Sequence, residues 1–430
     1  MSVVRGGLHP REALVATMGR IYRLRLTTTS GGNLSIRDAD DCIWITPARV
    51  DKGDLRPEDI VCVHPDGRVD GLHPPSSELP FHQAIYRTRP DVRALVHAHP
   101  VALVAFSLCR QVPDTRLLHP VWTLCGLPGL APYEVPGSDR LGERIAETFA
   151  RGHHGVLLEN HGVVVAGADM SEAFERFETL EFAARVLLGA RFLGRVRNLT
   201  REQLAMGEHR PSLAEAAASF APADGEAEWR ETLAGFVRRG YAQRLLTSTM
   251  GDLSARLGDD DFLITPHGGD RGLMEGGELV RVCGGEAEPG KPPSRAAACH
   301  REMYRRHPDI QAVAHAYPLN ATAFSVSGAE LDARTLPESY QFVREVVSVP
   351  YGVIFAAPER LAQRLCVAER PAALIENDGL LAIGRTILEA FDRLEVLETM
   401  AEVLLVARRL GPVRPMPEPV LRALLKGVSP

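Results

Sequence analysis

The chain of 430 residues carries the same unit twice. PPSSELPFHQAIYRTRPDVRALVHAHP at 74–100 recurs as PPSRAAACHREMYRRHPDIQAVAHAYP at 292–318, an offset of 218 that pairs Tyr86 with Tyr304 and His97 with His315. Ahead of it, GGNLSIRDADDCIWITP matches MGDLSARLGDDDFLITP at an offset of 219; behind it, LLENHGVVVAG matches LIENDGLLAIG at 217. Three blocks in one order at nearly constant spacing are a tandem duplication of a unit of about 200 residues. There is no third copy, so the chain is not a solenoid. The expected domains are residues 1–205 and 229–430. Residues 206–228 between them are rich in Ala, Pro and Gly and read as a linker. The proline-rich tail GPVRPMPEPVLRALLKGVSP should lie over the surface and end in a short helical turn.

Two such units need cores, and composition allows them: hydrophobic residues make up 45% and charged residues 24%, too apolar for disorder. The net charge of −6 lacks the basic excess of a nucleic-acid binder. No apolar run reaches the ~18–20 residues that span a bilayer. The opening MSVVRGGLHP has no apolar leader segment. Cysteines stand at 42, 62, 109, 125, 283, 299 and 366, odd in number and without C-x-x-C. That spacing argues against a disulfide framework and against a cysteine zinc site. The expectation is a soluble cytoplasmic protein with no nucleic-acid and no membrane partner.

Within a copy, helical and strand patterns interleave. HPREALVATMGRIYRL is apolar at helical spacing, and CIWITP, IVCVHP and VRALVHAHP read as short strands ending at proline. LPFHQAIYRTRP is a helix preceded by Ser76-Ser77 and closed before Pro90. HHGVLLENHGVVVAG is two strands broken at a turn, and SEAFERFETLEFAARVLLGA a long helix opened by Ser171 and closed near Gly189. Each copy is therefore expected to be an α/β sheet covered by helices.

Histidines concentrate in the first copy. His97 and His99 stand two apart on an expected strand, so both rings leave one face, as a pair of metal ligands or as structural histidines of a half-buried strand. His161 follows a strand in Glu159-Asn160-His161-Gly162, where the glycine allows a tight turn. Glu78, in the first turn of its helix, is either a favourable charge for the helix dipole or a carboxylate beside a metal.

Taken together, G-N-x-S, I-T-P, S-S-E, H-x-H-P and N-H-G, in this order and spacing, resemble the class II aldolase/adducin family over residues 10–190, and more weakly over 230–410. The resemblance implies two tandem α/β/α domains, each with a central, mostly antiparallel β-sheet. It implies His97, His99 and His161 as metal ligands, and Glu78 as an acid/base that also touches the metal. Gly32, Asn33, Ser76 and Ser77 would line an anion pocket with Thr46 beside it. The ion would be divalent, zinc first, with Mn2+, Fe2+, Co2+ or Mg2+ as alternatives. Chelated by a hydroxy-carbonyl substrate, it would stabilise an enediolate. The implied activity is a carbon–carbon lyase on a small hydroxy acid or sugar phosphate, of aldolase type, with a decarboxylase, an iron-dependent oxygenase and an adducin-like association protein as alternatives. Retention of the whole histidine set argues against the last.

Two departures bear on substrate. Where the phosphate aldolases carry a small residue and glycine, this chain has Ala48-Arg49, and Arg49 either pairs with an anion or faces solvent. Where the fuculose aldolases carry a protonating tyrosine, the segment Leu118-His119-Pro120 has Pro120, which adds weight to decarboxylation. Tyr133 reads as a packing residue. In the second copy Glu78, Ser77, His99 and His161 become Ala296, Arg295, Tyr317 and Asp378, and only His315 survives of the histidine set. That copy is expected to be a structural partner, with an altered site of His315, Tyr317, Arg295 and Asp378 as the alternative. Family members form fourfold rings, so a homodimer making a pseudo-tetramer is expected.

Overall fold

The structure is a computed structural model that describes residues 8–208 and 213–427. Residues 1–7, which carry most of the segment read for a leader, and 209–212 of the expected linker lie outside the described residues. In chain order the first copy contains α1 (Pro10–Arg23), β1 (Asn33–Arg37), β2 (Ile43–Ile45), β3 (Val61–Val63), β4 (Val69–Asp70), α2 (Leu79–Thr88), β5 (Ala94–Ala98), α3 (Val101–Leu108), α4 (His119–Cys125), β6 (Gly129–Ala131), α5 (Asp139–Phe149), β7 (Gly155–Leu158), β8 (Val163–Gly167) and α6 (Met170–Leu193). Its strands form one sheet in the order β4-β3-β2-β1-β5-β8-β7-β6, antiparallel throughout except for the parallel pair β6–β7.

The chain continues with α7 (Arg201–Glu208), β9 (Ala214–Glu215), α8 (Glu226–Ala242), β10 (Asp252–Gly258), β11 (Asp261–Ile264), β12 (Val280–Cys283), β13 (Glu286–Ala287), α9 (Ala297–Arg306), β14 (Ala312–Ala316), α10 (Leu319–Ser327), α11 (Pro337–Phe342), β15 (Val346–Val349), α12 (Val353–Ala356), α13 (Pro358–Arg364), β16 (Ala372–Ile375), β17 (Leu380–Gly384), α14 (Ile387–Leu410) and α15 (Glu418–Gly427). The second sheet, β15-β16-β17-β14-β10-β11-β12-β13-β9, repeats the first strand for strand and adds β9 in parallel at its edge. That extra strand comes from the segment read as linker. The tail ends in the ten-residue α15 rather than in a single turn.

Local chemistry explains the elements that position the site. Helix α2 starts with a proline in its first turn and stops at Arg89, because the residue before Pro90 is pushed out of the helical region. Ser138 caps α5 by accepting from the Leu141 N–H. One face of the first sheet buries Ile45, Val61, Val63, Leu95 and Val164 beneath Phe81 and Ile85 of α2 and Ile145 and Phe149 of α5. The second copy buries Leu253, Ala255, Ala314 and Leu380 with Phe391 and Leu394 of α14 and Leu233 and Val237 of α8.

By compactness the described chain divides into two units: residues up to 115 together with 120–185, and residues 116–119 together with everything from 186 onward. Within the second unit, the Asn377 side chain donates to the carbonyls of Leu117 and Arg197, each at 2.7 Å. No helix among the described residues is long and apolar enough to cross a membrane.

Candidate metal centre

Antiparallel pairing sets Asn33 of β1 directly opposite His97 of β5, so both side chains leave the sheet on the face that α2 covers. Glu78 is the residue that caps α2, one position ahead of the expected first turn, and its carboxylate meets them there. Oε2 lies 3.1 Å from His97 Nε2, and Oε1 lies 3.4 Å from His161 Nε2. His99 completes the group: ring centroids are 4.9 Å apart for His97–His99 and 5.0 Å for both His97–His161 and His99–His161. One nitrogen from each ring lies within 4.8 Å of the others.

The hydrogen-bond pattern dictates the tautomer of His97. Its Nδ1 faces the Val163 carbonyl at 3.0 Å, an acceptor only, so Nδ1 donates and the neutral ring keeps its lone pair on Nε2. His97 Nε2, His99 Nε2, His161 Nδ1 and Glu78 Oε1 are all buried without a hydrogen-bond partner. Buried atoms of this kind are costly in a protein that binds nothing beside them, since each orphan costs about 1–3 kcal/mol. Three imidazoles with a carboxylate beside them suit a divalent cation, which would take a lone pair from each ring. Burial opposes ionisation of Glu78, but His97, His161 and the Asn33 amide hold its carboxyl well below the usual carboxylate range. Burial, then the neighbouring His97 and His161, push His99 down to about 3, so it is neutral and able to act as a ligand.

Behind this group runs a chain of hydrogen bonds that the sequence reading missed. Asn33 Nδ2 donates to Glu78 Oε2 at 2.7 Å, so Asn33 Oδ1 must accept, and it does so from His82 Nε2 at 2.5 Å. His82 Nδ1 then accepts from the Ser35 hydroxyl at 2.7 Å, and Ser35 accepts from Tyr86 at 2.8 Å. Every proton in Tyr86–Ser35–His82–Asn33–Glu78 therefore points toward the carboxylate. Burial pushes His82 down to about 3, which keeps it neutral in this role. The repeat held the signal, since Ser254, His300 and Tyr304 stand at the matching positions.

The remaining expected residues are placed as follows. Gly32 has φ +74°, and a Cβ there would lie 2.5 Å from the His97 carbonyl oxygen. Ser76 is buried and its Oγ accepts from the Glu78 N–H at 3.3 Å, while Ser77 is exposed. Thr46 is wholly buried, its hydroxyl accepting from Leu34 N–H at 3.2 Å, so it braces β1. Arg49 is exposed in left-handed backbone, φ 61°, with no ion pair among the described residues. Tyr133 is 53% exposed, so its ring is not part of the core of this copy. In the Asn160-His161-Gly162 turn the left-handed residue is Asn160, φ 58°; Gly162 is needed instead because a Cβ would lie 2.6 Å from the Ala98 carbonyl. Lys52, which the sequence did not single out, is buried on the loop after Thr46, donates to the Pro47 carbonyl at 2.6 Å and is pulled down to about 8 by burial. Cys42, Cys62 and His64 also converge in space, although no C-x-x-C exists in the sequence.

The matching place in the second copy is closed. Tyr317 donates to Asp378 Oδ1 at 2.7 Å, and His315 donates through Nε2 to the Asp378 carbonyl at 2.7 Å and through Nδ1 to Asp252 at 3.3 Å. His300 Nε2 lies 2.8 Å from the other oxygen of Asp252. With both nitrogens of His315 donating, no lone pair is left for a metal. Arg295 stands apart, exposed and 3.4 Å from His267 Nε2.

Both copies match the model of the class II aldolase and adducin N-terminal domain, over residues 12–188 and 231–405, and the chain belongs to that family. It is a metal-dependent lyase of the class II aldolase or decarboxylase type. Among its relatives is the 3-oxo-tetronate 4-phosphate decarboxylase of Haemophilus influenzae, 32% identical over 181 residues, 41% of this chain and 86% of the relative. The 5-deoxy-D-ribulose 1-phosphate aldolase of Bacillus thuringiensis is 33% identical over 199 residues, covering 45% and 91%. The solved L-fuculose-1-phosphate aldolase of Thermus thermophilus is 28% identical, with a TM-score of 0.39 over 42% of this chain and 93% of that one.

Proposed function

We propose that the first copy cleaves a carbon–carbon bond beside a hydroxy-carbonyl unit in a small sugar phosphate or hydroxy acid, using one zinc-class ion held by His97, His99 and His161. The observation that carries this is the convergence of one nitrogen from each of His97, His99 and His161 within 4.8 Å, beside the Glu78 carboxylate. When bound, the ion acts as a Lewis acid on the substrate carbonyl and offsets the negative charge that develops there. Glu78 accepts and returns the proton: Oε2 is pinned by Asn33, so Oε1, without a partner, is the oxygen that exchanges it. Gly32, Asn33, Ser76 and Ser77 hold the remote anion, Ser76 keeping its O–H free to donate while its oxygen caps Glu78. Thr46 supports that pocket from behind, and Arg49 offers an unpaired guanidinium at its mouth.

Decarboxylation is the second reading, favoured by Pro120 in place of a protonating tyrosine. Zinc-loaded protein should be assayed with ketose 1-phosphates for release of aldehyde and with a 3-oxo acid phosphate for release of carbon dioxide. Turnover of one class, lost on chelation and restored by Zn2+, is the expected result. Failure with both, in protein shown to hold metal, would refute the lyase assignment to this site.

The reading extends to assembly and compartment. The second copy keeps the framework of the unit, including Ile264-Thr265-Pro266 and Tyr304, and has closed its own site with hydrogen bonds. That is what a packing partner requires, so the chain should associate as a homodimer, a pseudo-tetramer of four copies with two live sites. Sedimentation of the full chain as a monomer at micromolar concentration would refute this. All seven cysteines are free thiols, which suits the cytoplasm.

A further inference from the structure

We propose that Cys42, Cys62 and His64, with Asp70 bonded to the imidazole behind them, form a second divalent-metal site, of zinc type, on the face of the first sheet opposite the three histidines. Strand register places them together. Trp44 pairs with Cys62 across β2–β3, so by continuation Cys42 lies opposite His64; Asp70 pairs with Cys62 across β3–β4. Directly opposed residues, and residues two apart on one strand, share a face, so all four side chains leave the sheet on the Trp44 side. Asn33 and His97 lie on the other face, with Ile45 and Val61. The group is therefore separate from the catalytic centre, and the proposal does not depend on how that centre is read.

The distances suit one cation. Cys42 Sγ is 3.5 Å from His64 Nδ1, Cys62 Sγ is 3.9 Å from His64 Nε2, and the three ligand atoms lie within 4.8 Å of one another. Asp70 Oδ2 reaches the same imidazole at 2.7 Å. Two thiolates and one imidazole nitrogen make a three-ligand donor set of the soft kind that selects zinc, and the Asp70 carboxylate orients the imidazole. Binding breaks two S–H bonds, releases both protons to solvent and forms two metal–sulfur bonds with no change of oxidation state. Both cysteines are buried, at 9% and 4% exposure, whereas Arg68, which now shares Asp70 at 2.7 Å and lies 3.3 Å from His64 Nδ1, is 59% exposed and free to withdraw.

The second copy supplies an independent comparison. Cys42, Cys62 and His64 correspond to Asp261, Arg281 and Cys283, and there Arg281 grips Asp261 through two bonds of 2.9 and 2.5 Å. The same point across the same two strands is thus held by an ion pair in one copy and by metal-ligating side chains in the other. In the first copy a metal would do the equivalent work, tying β3 to β2, and Asp70 links the two-residue edge strand β4 to it through the His64 imidazole.

The test uses full-length, reduced, metal-free protein titrated with Co2+ in the absence of oxygen. Wild type should bind two equivalents, one of which gives a thiolate-to-cobalt charge-transfer band. His97→Ala should bind one and keep the band, and the double variant Cys42→Ser/Cys62→Ser should bind one and lose it. On wild type, independently of any variant's folding, Zn2+ should slow alkylation of Cys42 and Cys62 at least tenfold while exposed Cys109 reacts at an unchanged rate. A single equivalent without the band, a band that survives in the double variant, or alkylation of Cys42 and Cys62 indifferent to Zn2+ would each overturn the site.

Discussion

Glu78 shows how one residue is given one task. Asn33 occupies one carboxylate oxygen at 2.7 Å and leaves the other without a partner next to His161. Glu78→Gln is expected to lower turnover by about 10²–10⁴-fold, the usual worth of a general base. Kinetics on metal-loaded protein, with bound metal measured on the same sample, check this, and near-normal turnover would remove Glu78 from the role of general base. Gly162 is a separate case, because its constraint is space. Gly162→Ala puts a methyl 2.6 Å from the Ala98 carbonyl and from His99 Cδ2, at an expected cost of about 1–3 kcal/mol and with loss of metal occupancy as His161 and His99 move apart. Elemental analysis beside a denaturant melt would show both effects, and full occupancy in a stable variant would contradict the account.

At the scale of single elements, β5 and β14 demonstrate what one neighbour does to one histidine. In β5, His97 faces an amide at Asn33 and donates from Nδ1 to the Val163 carbonyl, which leaves Nε2 toward Glu78. In β14, His315 faces a carboxylate at Asp252 and donates from both nitrogens. Burial opposes its protonation, but Asp252 and Asp378 win and push His315 up to about 9. Because the folded value lies above the ordinary 6.5, the pair's contribution to stability is complete below 6.5 and is lost as pH rises through about 9. Asp252 is shifted far below its usual range, so its own contribution disappears only in strong acid. Calorimetry between pH 6 and pH 10, roughly the window this shift defines, should show the second copy weakening on the alkaline side. Asp252→Asn should abolish that alkaline loss while lowering stability at neutral pH. An unchanged alkaline profile would mean His315 is already neutral.

Across the whole molecule, the duplication and the compact units do not share a boundary. Residues 116–119 and 186–205 belong in sequence to the first copy and in space to the second unit. Asn377 helps hold them there through the carbonyls of Leu117 and Arg197. Asn377 is left-handed at φ 52°, so Asn377→Gly preserves the backbone while deleting both bonds, at an expected cost of about 1–3 kcal/mol. A denaturant melt measures it, and an unchanged midpoint would show that these bonds contribute nothing.

Sequence alone determined the duplication, the α/β class and the order of strands that could be read from alternation, because period and proline punctuation are local properties. It also singled out His97, His99, His161 and Glu78, which the structure brings together, since motif spacing survives in one dimension. It did not show that Ser35, His82 and Tyr86 orient Asn33 toward Glu78, that Thr46 faces the backbone of β1, or that Tyr133 stays in solvent. Nor did it show that cysteines twenty residues apart meet beside His64. Each of these is settled by strand register and by which face a helix covers. Those depend on packing between segments far apart in the chain, and tertiary structure alone decides them.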